Sequence, residues 1–122
     1  MNEVIKKTPF RFSQLIKEYP KFTGKLILYF DKKVEAGNSM FPGTYYLKNG
    51  TYHREDGPAI EQADGDKGWY LNGWPHREDG PAIEWGNGDL SYYIHGKRMT
   101  KKEFKIWQRS RKLDSFFSVS PD

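Results

Sequence analysis

The sequence contains no cysteine. That excludes disulfides and thiolate-ligated zinc, and it suits a reducing compartment. Its longest apolar run, Leu26 to Phe30, is far shorter than the roughly 20 residues a membrane-spanning helix needs. The N-terminal residues offer no apolar h-region, so no secretory signal is expected and a cytoplasmic location is. No glycine-rich loop precedes a helical pattern, no serine sits in a nucleophile elbow, and no Cys–His pairing exists. The expectation is therefore a protein that is not an enzyme and uses no cofactor. Hydrophobic residues make up only 36% of the chain, yet aromatics alone make up 16%. A core built from this composition leans on Tyr, Trp and Phe, which bury much area per side chain. The 122 residues suffice for a single domain with a modest core.

Charge is unevenly spread. Residues 1–52 carry nine Lys/Arg against four Asp/Glu, residues 53–90 carry three against nine, and residues 91–122 carry eight against three. An acidic middle lies between two basic ends. Such asymmetry steers partners electrostatically and says nothing about fold.

Self-similarity dominates the middle. The nine residues His53-Arg54-Glu55-Asp56-Gly57-Pro58-Ala59-Ile60-Glu61 return unchanged, 23 positions later, as His76 to Glu84. The same offset links Tyr46, Trp69 and Tyr92, then Asn49, Asn72 and His95, then Gly50, Gly73 and Gly96. Duplication is the only reasonable source of nine identical consecutive residues. Within a unit, Ala82-Ile83-Glu84-Trp85 alternates, Gly86-Asn87-Gly88-Asp89 has turn chemistry, and Leu90 to Ile94 is aromatic and β-rich. Asn72-Gly73 is a strong two-residue hairpin signal. Asp56-Gly57-Pro58 and Asp79-Gly80-Pro81 read as bends in which Gly allows positive φ and Pro removes a ladder donor. The unit is expected to be two short strands and two turns. One such hairpin cannot bury its own face, whereas stacked hairpins can.

These residues carry a resemblance. The HREDGPA-x-E…DG…WY-x-NG unit resembles the MORN-like repeats of many bacterial and bacteriophage proteins, over roughly residues 45–104. The resemblance implies a twisted antiparallel meander of hairpins acting as a scaffold or binding surface, with no catalytic residues carried over. Its phage association implies an accessory protein that acts on a host defence protein or host enzyme, in the host cytoplasm.

The flanks read differently. Thr100-Lys101-Lys102-Glu103 forms a capping box, and Met99 and Phe104 fit the hydrophobic staple. A helix is expected from Lys101 to about Lys112, closing the array. Phe104 and Trp107 share one side of it. Lys101, Lys102, Lys105, Arg109 and Lys112 gather on another. Leu113 to Asp122 reads as a tail in which Phe116-Phe117 docks. Ser13 caps a short helix through Tyr19, ended by Pro20. Lys25 to Phe30 reads as a buried strand, against which Thr44 to Leu47 pairs back. The expected architecture is mainly β (α+β): a non-repeat segment over 1–44, tandem hairpin repeats over 45–99, and a helix and tail over 100–122.

Positions identical between copies mark what the scaffold needs. His53, Asp56 and Gly57, with His76, Asp79 and Gly80, are read as repeat framework. A His beside its own turn can bond a carbonyl or the Asp. Stacked units space the His–Asp sets in a row instead of converging them, so a metal site is not expected. Positions that differ are free for function. Thr51, Trp74 and Lys97 are equivalent, as are Gln62 and Trp85. Trp74 and Trp85 are either covers for neighbouring hairpins or anchors for a partner. The basic helix is either a solvated face or a grip on an acidic protein or on phosphate. Three functions follow: a binder of a host protein, a nucleic-acid binder, or a small-ligand (nucleotide) sponge with a pocket between the repeats and the N-terminal segment. Exposed strand edges offer a route to a homodimer.

Overall fold

The computed structural model describes residues 3–7, 17–28 and 42–117, with side chains at 17–28 and 42–113. The chain order is β1 (Glu3–Lys7), β2 (Gly24–Leu28), β3 (Gly43–Lys48), β4 (Thr51–Tyr52), β5 (Ile60–Gln62), β6 (Lys67–Gly68), β7 (Tyr70–Leu71), β8 (Trp74–Pro75), β9 (Ile83–Glu84), β10 (Leu90–Ile94), β11 (Lys97–Met99) and α1 (Lys101–Phe117). The architecture is mainly β with one C-terminal helix. Nine strands form a meander in the order β1-β2-β3-β5-β6-β9-β10-β11, with β4 beside β3, and β7-β8 is a separate hairpin.

Two expectations need correction. The sheet is antiparallel except at one edge, where β1 runs parallel to β2 with Glu3 opposite Gly24. A unit also contains more than two strand pieces: four in the middle unit, β5 to β8, and three in the last, β9 to β11. One longer strand is shared between two hairpins: Leu90 and Ser91 of β10 pair with β9, while Tyr92 to Ile94 pair with β11. The alternation in the sequence marks the strands but not the sharing of one strand by two partners. The expected helix from Ser13 falls mostly outside the described residues, where only Lys17 and Glu18 are helical.

The turns follow their residues. Asn49 and Gly50, Asn72 and Gly73, and His95 and Gly96 all take positive φ, between 47° and 84°. Two successive left-handed residues make the mirror-image turn that matches strand twist, and Asn and Gly adopt it most readily. Each turn is tied to the chain before it. Gly73 N–H donates to the Tyr52 carbonyl and Gly96 N–H to that of Pro75, both at 2.8 Å. Asn72 N–H donates to His53 Nδ1 at 2.9 Å and His95 N–H to His76 Nδ1 at 2.8 Å. At the N-terminal end Gly50 N–H donates to the Phe22 carbonyl and Asn49 N–H to Thr23 Oγ1, both at 2.9 Å. A threonine hydroxyl thus does there what an imidazole does twice later.

Apolar burial is concentrated at that end. Phe22, Leu26, Leu28, Tyr45 and Leu47 form the buried cluster, with Tyr19, Tyr52 and Ile60 packed on it. β2 buries alternate residues, as a strand with one face on a core must. Tyr52 links Tyr45 to Tyr70, with ring centroids 6.0 and 5.6 Å away.

α1 closes the other end. Glu103 N–H donates to Thr100 Oγ1 at 3.1 Å and Thr100 N–H donates to Glu103 Oε1 at 2.9 Å, which is the reciprocal capping box. Phe104 is buried against Tyr92, 4.8 Å between centroids. The helix runs to Phe117, past the expected end near Lys112. Leu113 to Phe117 holds neither Gly nor Pro, so nothing there stops a helix. How Phe116-Phe117 dock lies outside the described side chains.

Candidate interaction surface

The nonapeptide builds a loop whose side chains hold one another. Arg54 lies over the Tyr46 ring at 4.1 Å and Arg77 over the Trp69 ring at 3.8 Å. Each guanidinium donates through Nε to Asp56 or Asp79 at 2.9 Å, and to the Pro58 or Pro81 carbonyl at 3.1 Å. A cation on a π face with a carboxylate at its edge is well satisfied. In the third unit Tyr92 has no such arginine, and Phe104 of α1 covers it instead.

These contacts revise two details. Neither Gly57 nor Gly80 has positive φ. A Cβ there would instead press on the Arg54 or Arg77 guanidinium, 3.0 Å from its Cζ, tighter than ordinary van der Waals contact. The histidines also do not pair with Asp56 or Asp79, which serve the arginines. His76 Nε2 faces Glu78 at 3.0 Å and His53 Nε2 faces Glu55 at 3.7 Å, while each Nδ1 accepts the backbone N–H described above. An N–H aimed at Nδ1 fixes the tautomer with hydrogen on Nε2. Among the described residues no cluster of three or more His, Asp and Glu could hold a metal ion.

The two variable tryptophans lie apart. Trp74 sits on the backbone of the next turn, where a Cβ on Gly96 would come within 2.5 Å of its ring, yet it is 64% exposed. It therefore covers a neighbour and faces solvent at once. Trp85 donates from Nε1 to Ser91 Oγ at 3.2 Å and is 43% exposed. The His95-Gly96 turn follows β10 and the Trp85 turn precedes it, so a strand of five residues, roughly 17 Å long, separates them. Trp85 is nearer the start of α1. The end of its turn, from Gly88, lines a hollow of about 670 Å³ together with Met99 to Lys101.

On α1, Lys101, Lys102, Lys105, Arg109 and Lys112 are all exposed. Ile106 and Leu113, 57% and 50% exposed, lie among them. The heptad spacing of these two puts them on one stripe, a signal present in the sequence but masked there by the cations. Arg111 and Gln108, not singled out by the sequence, bind the second loop. Gln108 Nε2 donates to the Glu78 carbonyl at 3.0 Å, and Arg111 reaches the Glu78 carboxylate at 3.8 Å and the Trp107 ring at 5.6 Å. At the other end a groove of about 750 Å³ lies between Thr23–Lys25 and the first unit, where the sequence suggested a ligand pocket.

Burial pushes the phenols of the tyrosine row up. Tyr45 is raised to about 12 by burial, with the Gln62 hydrogen bond acting in the opposite direction, and Tyr52 and Tyr70 are raised by burial. These rings serve packing. Among the described residues no helix is long and apolar enough to cross a membrane. No family model, curated protein or solved structure matches the chain.

Proposed function

We propose that the chain is a small non-catalytic binding protein: tandem MORN-like hairpins present a surface that engages and inhibits a host protein. The observation that carries this reading is a division of labour among side chains. The loops and turns are held by His53, Arg54, His76, Arg77 and their carboxylates. Trp85 is 43% exposed, and Ile106 and Leu113 are exposed among the uncovered cations of α1. Exposed large apolar groups that a fold does not require are typical of partner anchors, and a rim of one charge sign adds selectivity. The resemblance of the nonapeptide to phage and bacterial repeats supports a host protein as the partner.

The test is affinity purification from a bacterial lysate with and without nuclease, using the natural chain, Trp85→Ala and the double variant Lys105→Glu/Arg109→Glu. A nuclease-resistant protein recovered by the natural chain and lost by both variants supports the reading, provided circular dichroism shows both folded. Recovery by both variants removes it. A second reading, nucleic-acid binding, draws on the exposed cations of α1. It predicts affinity that falls steeply with salt. The adjacent Glu78 and Asp79 weigh against it, since they would repel a phosphate backbone.

A further inference from the structure

α1 is packed on one side only. Phe104 is buried against Tyr92, the Trp107 ring lies nearly parallel to that of Phe104 with centroids 6.0 Å apart, and Gln108 and Arg111 bond the second loop at Glu78. At about 100° per residue these four share one face of the helix. The opposite face carries Ile106 and Leu113, both exposed and seven residues apart.

Two rows of cations run beside that pair with the same spacing. Lys102 and Arg109 form the nearer row, Lys105 and Lys112 the farther one, and each row again spans seven residues. All four are exposed, and among the described residues none makes an ion pair. Glu78 and Asp79 share a hollow of about 500 Å³ with Lys105, Arg109 and Lys112. Those carboxylates are already engaged by His76, Arg77 and Arg111. On the other flank of the stripe, Glu103 is engaged by Thr100. The charge left uncompensated beside Ile106 and Leu113 is therefore positive.

We propose that this face of α1 receives an acidic amphipathic helix of a partner protein, with apolar side chains on Ile106 and Leu113 and a row of carboxylates against the cations. The spacing selects a helix. Seven residues of α1 advance about 10.5 Å, a distance that a helix laid alongside repeats in every heptad. A strand presents residues to one side about every 7 Å and falls out of register. The unpaired cations select acidity. A second copy of α1 is a poorer fit, because pairing two such faces in either direction brings the cations of one copy against those of the other. A phosphate backbone would leave Ile106 and Leu113 without apolar contact, and its charge would extend over Glu78 and Asp79, where a single row of carboxylates ends at the cations. A broad anionic lipid surface would meet the same two carboxylates. The inference rests on the reading of the chain as a binding protein and names the chemistry of what it binds.

The test uses the full chain and a fluorescein-labelled peptide, followed by fluorescence anisotropy. The peptide is alanine-based, three heptads long and stapled on its outer face to hold it helical, with one leucine in each heptad and glutamates three and four positions after it. Saturable binding is expected, weakened about tenfold by Ile106→Ser/Leu113→Ser, which leaves the charge unchanged, and about as much by Lys105→Glu/Arg109→Glu. A peptide with Lys in place of Glu is expected to reject the natural chain and to bind Lys105→Glu/Arg109→Glu. Lys48→Glu, at the other end of the sheet, is expected to leave binding unchanged. No saturation up to about 1 mM peptide, or the absence of that rescue, overturns the proposal. Equal binding of a scrambled peptide of the same composition also overturns it, since general charge attraction would then suffice. So does an Ile106-dependent dimer in sedimentation, or tighter Ile106-dependent binding to vesicles of phosphatidylserine and phosphatidylcholine in equal parts. If the peptide fails while the purification above succeeds, only the helical class of partner falls. If the peptide binds with rescue while the purification fails, this face of α1 stands as a binding surface and the assignment to a host protein falls.

Discussion

The two copies of the nonapeptide are the same residues in different neighbourhoods. In the first, His53 lies 3.7 Å from Glu55 and Arg54 lies 3.8 Å from Glu61. In the second the equivalent distances are 3.0 and 2.9 Å, and the imidazole is 4% exposed against 11%. The difference comes from what surrounds each loop. The second has α1 on one side, through Gln108 and Arg111, and the His95 ring tilted against that of His76, with centroids 4.1 Å apart. The first lies beside an open groove, although the main apolar cluster packs around its strand β3. An identical motif is therefore expected to carry a different energy in each place. Charge-assisted contacts strengthen as neighbours exclude water, so the last unit, poor in buried aliphatic residues, is held by polar contacts under a helical cover.

Removing the cover tests this most severely. Phe104→Ala empties the buried contact between α1 and Tyr92 and is expected to destabilise the chain by about 3–5 kcal/mol in urea unfolding. It should also narrow the difference between the loops, because Gln108 and Arg111 lose their anchorage. A thermodynamic cycle pairing Phe104→Ala with His76→Ala should show coupling, and pairing it with His53→Ala should not. Strict additivity in both pairs would mean that α1 does not tighten the second loop.

The histidines themselves come next. His76→Ala removes an imidazole bonded to Glu78 and leaves the His95 N–H without its acceptor, an expected cost of about 2–3 kcal/mol. His53→Ala, more exposed and with the weaker carboxylate contact, is expected to cost about 1 kcal/mol. Denaturation midpoints of the two variants decide the ranking. Equal losses would show that sequence alone sets the strength of the loop.

Local features of the fold are legible in the amino-acid sequence. The hairpin turns and the helix start are encoded in Asn72-Gly73 and in Thr100 to Glu103, where a few adjacent residues satisfy one another. The partners of the repeated loop are not legible in this way. Arg54 over Tyr46 joins residues eight apart, and His53 with Asn72 joins residues 19 apart. Such pairings depend on how units stack, which periodicity announces without specifying. The role of Gly57 is hidden for the same reason: the pressure on it comes from a guanidinium, not from its own φ. Trp74 and Trp85 are recognisable as variable positions. Their placement at opposite ends of β10 follows only from the sharing of that strand by two hairpins.

High pH should weaken the first region further, because the buried tyrosines pack around its strand β3. Tyr45 has its pKa raised by burial to about 12 from 10.0, and Tyr52 is raised as well. A raised folded pKa on an acid means that the unfolded chain ionises first. Stability is therefore intact below pH 10 and is lost as pH climbs toward 12, at up to about 1.4 kcal/mol per unit for each such phenol, or roughly 2 kcal/mol by pH 12 for Tyr45. Tyr45→Phe should flatten the alkaline limb of a stability–pH curve. An unchanged limb would show that the ring is ionised in the native state without penalty.

The smallest effect expected is at the start of α1. Thr100 accepts the Glu103 N–H, and Glu103 accepts the Thr100 N–H in return. Losing the cap in Thr100→Ala should cost about 1 kcal/mol. The bonds to Thr100 also hold the Glu103 carboxyl below its usual range. A depressed folded pKa stabilises above the unfolded value and loses its effect as pH falls through the folded one. The natural chain should therefore weaken slightly on acidification at this helix end, and Glu103→Gln, which cannot titrate, should lack that component. Amide exchange at Glu103 and Phe104 is the sensitive reporter, because the cap protects the first turn of α1 and leaves the hairpins alone. If exchange there is independent of both substitutions, the helix is held in place by Phe104 and its contacts with the second loop, and the capping box contributes nothing measurable to the cover that distinguishes the two loops.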